Sequence, residues 1–151
     1  MKKLIQLSSF LFLFLYSCNN TGKSAAPESE NDIDAARNFI RAALDGNYEK
    51  GKQMLAGDST NFQYFAEYEK AHGKMNAEEK KKYKDASINV HAVTPINDST
   101  TIVIYSNSYL NDHDTLKLVK TGGQWLVDLK YLFNHDMDTL LQKINKTDTL
   151  Q

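Results

Sequence analysis

The sequence predicts an α+β domain, with N-terminal helices packed on one face of an antiparallel sheet of about four strands and a short C-terminal helix. Three observations predict this class. Apolar residues recur at three- and four-residue spacing over residues 33–71, and no proline interrupts residues 28–94. From Ser87 the period changes to two, and β-branched and aromatic residues alternate between turn signals. The helices all precede the strands, with one further amphipathic segment at the end.

The helical half opens with two amphipathic segments. Asn31 or Asp32 caps the first helix, and Gly46 ends it. The apolar face of this helix carries Ile33, Ala36, Ile40, Ala43 and Leu44, with Phe39 at its margin. Asn47 caps a second helix, and Gly57 closes it. The second helix carries Tyr48, Met54 and Leu55.

Two further helices complete this half. Asp58 or Ser59 opens the third helix, and Gly73 closes it. Its apolar positions are Phe62, Tyr64, Phe65, Tyr68 and Ala71. Asn76 starts a fourth, highly charged segment that runs to Asp85. The mixed signs of its charges predict a solvated helix, and a protein-docking face is the alternative.

The strand half begins at Ile88 with strict alternation. In the first strand Ile88, Val90 and Ala92 alternate with Asn89, His91 and Val93. Residues 95–99 predict a turn, and residues 100–109 predict the second strand. The second strand has Ile102 and Ile104 on one face and Val103 and Tyr105 on the other.

The third and fourth strands form a hairpin. Leu116 and Leu118 belong to the third strand, and Gly122 and Gly123 make the tight turn that follows it. One face of the fourth strand carries Trp125, Val127, Leu129 and Tyr131. Asn134 or Asp136 then caps a short amphipathic helix. Its apolar face comprises Phe133, Met137, Leu140, Leu141 and Ile144.

The start of the chain has the layout of a secretory signal. Lys2 and Lys3 are followed by an apolar run over residues 4–16, and the segment ends at Cys18, the only cysteine. The run is shorter than the roughly 20 apolar residues that a transmembrane helix needs. The residues Leu-Tyr-Ser-Cys at positions 15–18 resemble the lipobox of bacterial lipoproteins.

This resemblance implies that residues 1–17 are a signal peptide that is removed and that Cys18 carries a thioether-linked diacylglycerol. An ordinary secretory signal, which would leave Cys18 as a free thiol, is the alternative. Two or more acyl chains, such as palmitate, anchor a protein stably where one does not. After Cys18, the segment to residue 31 holds nothing bulky and apolar and predicts a lipid-anchored flexible linker. Residues 32–151 are then a single domain.

The predicted lipid anchor and the net charge of the chain together indicate where the protein lies and which partners it has. By resemblance to lipoprotein sorting rules, the absence of aspartate after Cys18 implies the outer membrane, with the domain facing the periplasm. The formal net charge of −1 becomes −3 once Lys2 and Lys3 are removed, which argues against nucleic acid as a partner. The expected partners are the membrane, through the lipid on Cys18, and an envelope protein or a small apolar ligand.

Two stretches carry a resemblance to a family of domains. Residues 36–55 contain an amphipathic helix with Phe39 and then Asp-Gly-Asn-Tyr-Glu-Lys, and residues 122–128 read Gly-Gly-Gln-Trp-Leu-Val-Asp. They resemble the opening helix and the final hairpin of the nuclear-transport-factor-2-like superfamily, and in particular a group of bacterial lipoproteins within it. The resemblance covers roughly residues 31–132. It implies a cystatin-like α+β cone, in which a curved sheet and helices enclose a cavity, and homodimerisation through the sheet.

Aromatic residues are the candidates for lining such a cavity, because they supply apolar area and, in tyrosine, a hydroxyl that orients a ligand. The candidates are Tyr64, Phe65, Tyr68, Tyr105, Tyr109, Trp125 and Tyr131. Core packing is the alternative for each of them. We therefore expect a non-catalytic ligand-binding or protein-interaction domain with no cofactor.

The alternative function is a small-molecule isomerase or dehydratase, which would use a pocket aspartate or histidine beside a tyrosine. His91 and Asp128 are the candidates, but each alternates opposite the more apolar face of its strand and is expected to face solvent. No catalytic residue is therefore assigned. Residues 112–114 and 135–138 group oxygen and nitrogen donors, but a turn and a helix start explain them and no zinc-type spacing occurs. No metal site is expected.

Overall fold

The structure, a computed structural model, describes residues 29–132. Four helices precede four strands, and the α+β class is confirmed. The helices are α1 (Asp32–Leu44), α2 (Tyr48–Gln53), α3 (Ser59–Gly73) and α4 (Ala77–Asp85). The strands are β1 (Ile88–Asn97), β2 (Thr100–Asn107), β3 (Asp114–Thr121) and β4 (Gln124–Asp128). The chain is helical again at residues 130–132. The signal, Cys18, most of the linker and residues 133–144 of the predicted last helix lie outside the described residues.

Each helix begins at a side chain that accepts a hydrogen bond from a backbone N–H of the first turn, as N-cap residues do. The caps are Asn31, Asn47, Asp58 and Asn76, which accept at 2.9, 3.2, 3.0 and 2.9 Å. Asn76 also forms a reciprocal capping box with Glu79. Gly46 follows α1 with a φ of +70°, the left-handed conformation that glycine adopts without strain. The sequence therefore predicted where each helix begins and where α1 and α3 end. The end of α2 was predicted wrongly: Gly57 was expected to close this helix, but the helix ends at Gln53, and Leu55 instead pairs with Val127.

The four strands form an open antiparallel meander in the order β1-β2-β3-β4. Gly122 and Gly123 have φ values of +60° and +85°, which confirms the predicted tight turn between β3 and β4. Residues 95–99 were expected to be a turn, but β1 continues through Pro95 to Asn97. The sheet tolerates this proline because β1 is an edge strand, where a missing N–H breaks no ladder.

A bulge in β1 changes which residues face the core, so the predicted inward face is wrong beyond Val90. The pairing register with β2 shifts between Val90 and Ala92. A bulge inserts one residue and so exchanges the faces beyond it. Val93, rather than Ala92, therefore packs against the hydrophobic core.

The core lies between α1 and the inner face of the sheet. Ala36, Val103, Leu118 and Val127 are completely buried there. The inner face of β2 is the one that carries Val103 and Tyr105, while Ile102 and Ile104 are half-buried on the opposite face. The guanidinium of Arg41 donates to the Ala86 carbonyl oxygen at 2.9 Å and ties α1 to the end of α4.

The segment after α2 extends the sheet beyond β4. The Val127 N–H donates to the Met54 carbonyl at 2.8 Å, and the Ala56 N–H donates to the Val127 carbonyl at 2.8 Å. Leu55 thereby forms an isolated parallel bridge with Val127. The outer edge of β4 is thus hydrogen-bonded at Val127, near the end of the strand.

Two positions that were expected on the apolar face of α3, Phe62 and Ala71, are exposed. Phe62 was expected on the apolar face, but its side chain is 43% exposed, whereas its neighbour Asn61 is completely buried. The Asn61 amide oxygen accepts from the Leu129 N–H at 2.7 Å, and its amide nitrogen donates to the Ala56 carbonyl at 3.1 Å. A buried backbone N–H needs a partner, and this asparagine supplies it.

Within residues 29–132, no helix has the length and apolarity to cross a membrane.

Candidate functional site

A cavity of about 180 Å³ lies between the helices and the inner face of the sheet. Its walls are mostly aromatic and aliphatic, and its polar groups are few. The lining residues are Phe39, Ile40, Ala43, Leu44, Tyr64, Phe65, Tyr68, Tyr83, Tyr105, Asn107, Leu110, Asp114, Leu116, Leu129 and Leu132. Leu110, 49% exposed, and the exposed Asp114 mark its mouth. The candidate site is therefore an apolar cavity that opens to solvent beside the turn between β2 and β3.

The structure brings together four of the seven aromatic residues that the sequence suggested as a lining. Tyr64, Phe65, Tyr68 and Tyr105 all line the cavity. The first three project from one helix at helical spacing, and Tyr105 meets them from β2 because it lies on the inner face of the sheet.

The other three suggested residues are placed elsewhere. Tyr109 stacks its ring edge-on against Tyr83 at 5.0 Å and is partly exposed. Trp125 packs at the margin of the core, with the Lys120 ammonium 5.6 Å from its ring centre. Tyr131 lies in the final helical turn, and its neighbour Leu132 contributes to the lining in its place.

Aromatic contacts hold the helical wall of the cavity together. The Phe39 and Phe65 ring centroids are 5.5 Å apart, and Phe65 stacks on Tyr68 at 6.0 Å. Tyr68 in turn stacks on His72, one helical turn further along α3, at 6.3 Å. The Tyr68 hydroxyl donates to the Ala43 carbonyl at 3.3 Å, so this wall is joined to α1. The rings have little freedom to collapse into the cavity.

The polar end of the cavity is a tyrosine–aspartate pair. Tyr105 faces Asp114 directly across the β2–β3 pairing, and its hydroxyl donates a hydrogen bond to that carboxylate. Burial, and then the charge of Asp114, raise the pKa of Tyr105 far above its ordinary value. Burial likewise raises the pKa of Tyr68. Both phenols are therefore neutral hydrogen-bond donors in the physiological pH range.

The two catalytic candidates lie outside this cavity. His91 is exposed on β1, and its Nε2 lies 2.8 Å from the Ser106 hydroxyl. Asp128 was expected to face solvent, but it is buried between two lysines, with Lys117 at 3.4 Å and Lys130 at 3.7 Å. The two ammonium groups compensate the buried carboxylate. Neither residue is within the set that lines the cavity.

Sequence reasoning missed Tyr83, Asn107 and Asp114. Tyr83 is the only aromatic residue in the highly charged segment of α4, so no periodic pattern indicated it. Asn107 and Asp114 flank the turn between β2 and β3, where such residues are ordinarily explained by backbone needs. The side chain of Asn107 does accept from the backbone N–H groups of Tyr109 and Leu110. Only the sheet register places these two polar residues at the mouth of the cavity.

The part of the chain from residue 29 to residue 132 contains no group of three or more histidine, cysteine, aspartate or glutamate side chains that could hold a metal ion. Residues 112–114 belong to this part, and residues 135–138 lie outside it.

The chain matches no protein-family model, and no curated protein resembles it closely enough to count as a relative.

Proposed function

We propose that this protein is a lipid-anchored component of the bacterial cell envelope whose domain binds a small, largely apolar molecule without transforming it. The observation that carries the binding proposal is the cavity of about 180 Å³, with apolar walls and one polar end. Small-molecule sites combine such walls with a few convergent polar groups. A domain that needed only a packed core would fill this volume with side chains.

The size of the cavity limits the ligand. A protein cavity of about 150 Å³ lined by apolar side chains binds benzene. The cavity of about 180 Å³ therefore holds one ring with one small substituent, or a short branched chain. It is smaller than the roughly 300–1,000 Å³ of sites for drug-sized molecules. A larger ligand would extend past Leu110 into solvent.

The polar end indicates where the substituent lies. The Asp114 carboxylate lies at the mouth and accepts from Tyr105, and a carboxylate has capacity to accept several hydrogen bonds at once. A hydroxyl or amino group on the ring satisfies this capacity, whereas a ligand carboxylate would be repelled. We expect a phenol- or amine-bearing ligand to bind more tightly than a hydrocarbon of the same shape.

Catalysis is the second candidate, and the Tyr105–Asp114 pair is the observation that favours it. An isomerase or dehydratase needs a carboxyl group buried beside the reacting carbon and a tyrosine hydroxyl free to stabilise an oxyanion. Here the Tyr105 hydroxyl is engaged by Asp114, and Asp114 lies at the exposed mouth. Binding without chemistry therefore fits the geometry better.

The binding proposal is tested by methyl NMR of the protein titrated with p-cresol and with toluene. We expect saturable shifts at the Leu116 and Leu129 methyls, with tighter binding of p-cresol. Ala43→Leu fills the cavity and should abolish the shifts, while Ala66→Leu, on the exposed face of α3, should leave them unchanged. Absence of saturable shifts in the unmodified protein, or equal loss in both variants, contradicts the proposal.

The anchor is proposed from the N-terminal sequence, in which a short apolar run ends at the only cysteine. We expect the wild type to sediment with bacterial membranes and to carry a diacylglycerol mass on Cys18. Cys18→Ser should appear in the soluble fraction without that mass. Membrane association of the serine variant equal to that of the wild type would contradict lipidation. Pairing of two copies through the outer face of the sheet, where Ile102 and Ile104 are half-buried, stays a prediction.

A further inference from the structure

A second depression, of about 440 Å³, lies behind the aromatic wall of the cavity. It is wider than the cavity and is formed by the turn between α1 and α2, the end of α3 and one face of α4. Its polar lining includes Asp45, Tyr48, His72, Lys80, Lys81 and Lys84. Leu44 is shared with the apolar cavity, but the other lining residues are different.

The charge at this depression is predominantly positive. Lys80 donates to the Gly73 carbonyl at 3.2 Å and has no carboxylate partner among the described residues, and neither has Lys84. Lys81 pairs with Asp85. Among residues 29–132, the only carboxylate in the lining is that of Asp45, which is already paired with Arg41 at 3.2 Å. Two ammonium groups are therefore available to an anion.

A buried histidine lies in the wall between the apolar cavity and this depression. His72 is 7% exposed, and its Nδ1 forms a hydrogen bond with the Tyr48 hydroxyl. Its Nε2 is buried and has no partner among residues 29–132. Gly46 permits this close packing, because a Cβ there would come within 3.3 Å of the His72 Cε1. A buried nitrogen without a partner is unusual in a folded protein and calls for an explanation.

The protonation states follow from the surroundings. Burial, and then the charge of Glu69, raise the pKa of Tyr48, so the phenol keeps its proton. Burial, and then the positive charge of Lys80, lower the pKa of His72, so the ring is neutral. When the Tyr48 hydroxyl donates to Nδ1, the single ring proton resides on Nε2. The buried Nε2–H then has no acceptor among residues 29–132, and the same ring lies close to two lysines that have no carboxylate partner among these residues.

We propose that this depression binds a phosphate group. The Lys80 and Lys84 ammonium groups are its ligands, and His72, in the wall of the depression, is close enough to respond to the bound charge. A phosphate monoester offers three terminal oxygens, enough for both lysines and a further donor. The remaining volume accommodates the group to which the phosphate is attached. The proposal does not depend on the apolar cavity, because none of these three residues lines it.

Phosphate bound in the depression should change the titration of His72, whereas phosphate attracted to exposed lysines elsewhere should not. Within the described part of the chain, the groups that face this histidine are Tyr48 from α2, Tyr68 from α3, and Tyr83 and Lys80 from α4, with no carboxylate among them. An anion bound at Lys80 offsets the positive charge that lowers the histidine pKa. Phosphate should therefore move the His72 titration to higher pH.

The test is a titration of the full-length protein in detergent with inorganic phosphate, followed at the His72 Cε1–H resonance. Lys80→Met combined with Lys84→Met should weaken phosphate binding by about tenfold, as expected for two exposed charge contacts. Lys70→Met combined with Lys82→Met removes the same charge outside the depression and should leave the affinity within about twofold. Equal weakening in the two double variants, or no shift of the His72 titration, overturns the proposal.

A second arm distinguishes the sources of the phosphate. Dihexanoyl phosphatidic acid presents the same phosphate monoester on a lipid. Binding at least about tenfold tighter than inorganic phosphate, with the same loss in the Lys80 and Lys84 double variant, assigns the depression to a lipid headgroup. Equal affinities assign it to a soluble phosphate. Failure of p-cresol to bind the apolar cavity would not affect either result.

Discussion

Replacement of Asn61 by alanine should destabilise the protein more than any other single change of a polar side chain on α3. Asn61 is completely buried and makes three hydrogen bonds through its amide. Removal of the amide leaves the buried Leu129 N–H without its acceptor, which costs about 1–3 kcal/mol. Loss of the bonds to the Ala56 carbonyl and to Asp58 costs about 0.5–1.5 kcal/mol each. We therefore expect a loss of about 3 kcal/mol in the free energy of unfolding.

Urea denaturation followed by tryptophan fluorescence measures this loss, since Trp125 lies beside the core. With a denaturant slope of about 1–3 kcal/mol per molar urea, the midpoint should fall by about 1.5 M. The adjacent Phe62→Ala variant is the matched control, because its side chain is 43% exposed. It should cost less than about 1 kcal/mol. Equal losses in the two variants, or a loss below about 1 kcal/mol for Asn61→Ala, would refute the bridging role of the amide.

Two further predictions concern the elements around the cavity. Gly51→Ala would place a methyl group against the Phe65 ring, within 3.0 Å of its Cε1, and should lower the unfolding free energy by about 1–3 kcal/mol in a thermal melt. Gly57→Ala, where an added methyl meets nothing within 4 Å, should be nearly neutral. A hydrogen bond from Lys130, and then one from the Asn61 N–H, lower the pKa of Asp58, so its contribution to stability is complete above about pH 5 and is lost as the pH falls through the lowered pKa. Asp58→Asn keeps the cap and should flatten the dependence of stability on pH below about pH 4, and an unchanged slope would exclude the ion pair as its cause.

Local signals in the sequence predicted the elements well. The four helix caps are short-range features, because the side chain and the N–H that it accepts are three residues apart. The Gly122–Gly123 turn is equally local. The bulge after Val90 could not be predicted, since it depends on how β1 pairs with β2 and not on the alternation within β1.

The candidate site was predicted only in part, for a physical reason. Tyr64, Phe65 and Tyr68 follow from helical periodicity, and Tyr105 from strand alternation. Periodicity identifies the inward face of an element but does not say which inward side chains surround a void and which fill the core. Asp114 joins the site through a cross-strand pairing with Tyr105.

Asn61 shows the same limit in the core. A helical pattern assigns the apolar Phe62 inward and the amide outward, and the structure reverses both. The decisive interaction is a hydrogen bond to Leu129, 68 residues away. Only the docking of α3 against the end of β4 creates the unpaired N–H that the asparagine satisfies.

The interrupted edges of β1 and β4 affect how copies of the protein associate when they are close together. Residues 54–56 occupy the edge of β4, and Pro95 and a bulge interrupt the edge of β1. An uninterrupted strand edge is a template on which other chains add as further strands, the first step of sheet aggregation. If the proposed anchor held copies at high density in the plane of a membrane, they would collide often, and the blocked edges would keep these encounters reversible. Any lasting association of two copies would then depend on side-chain surfaces, which single substitutions can tune.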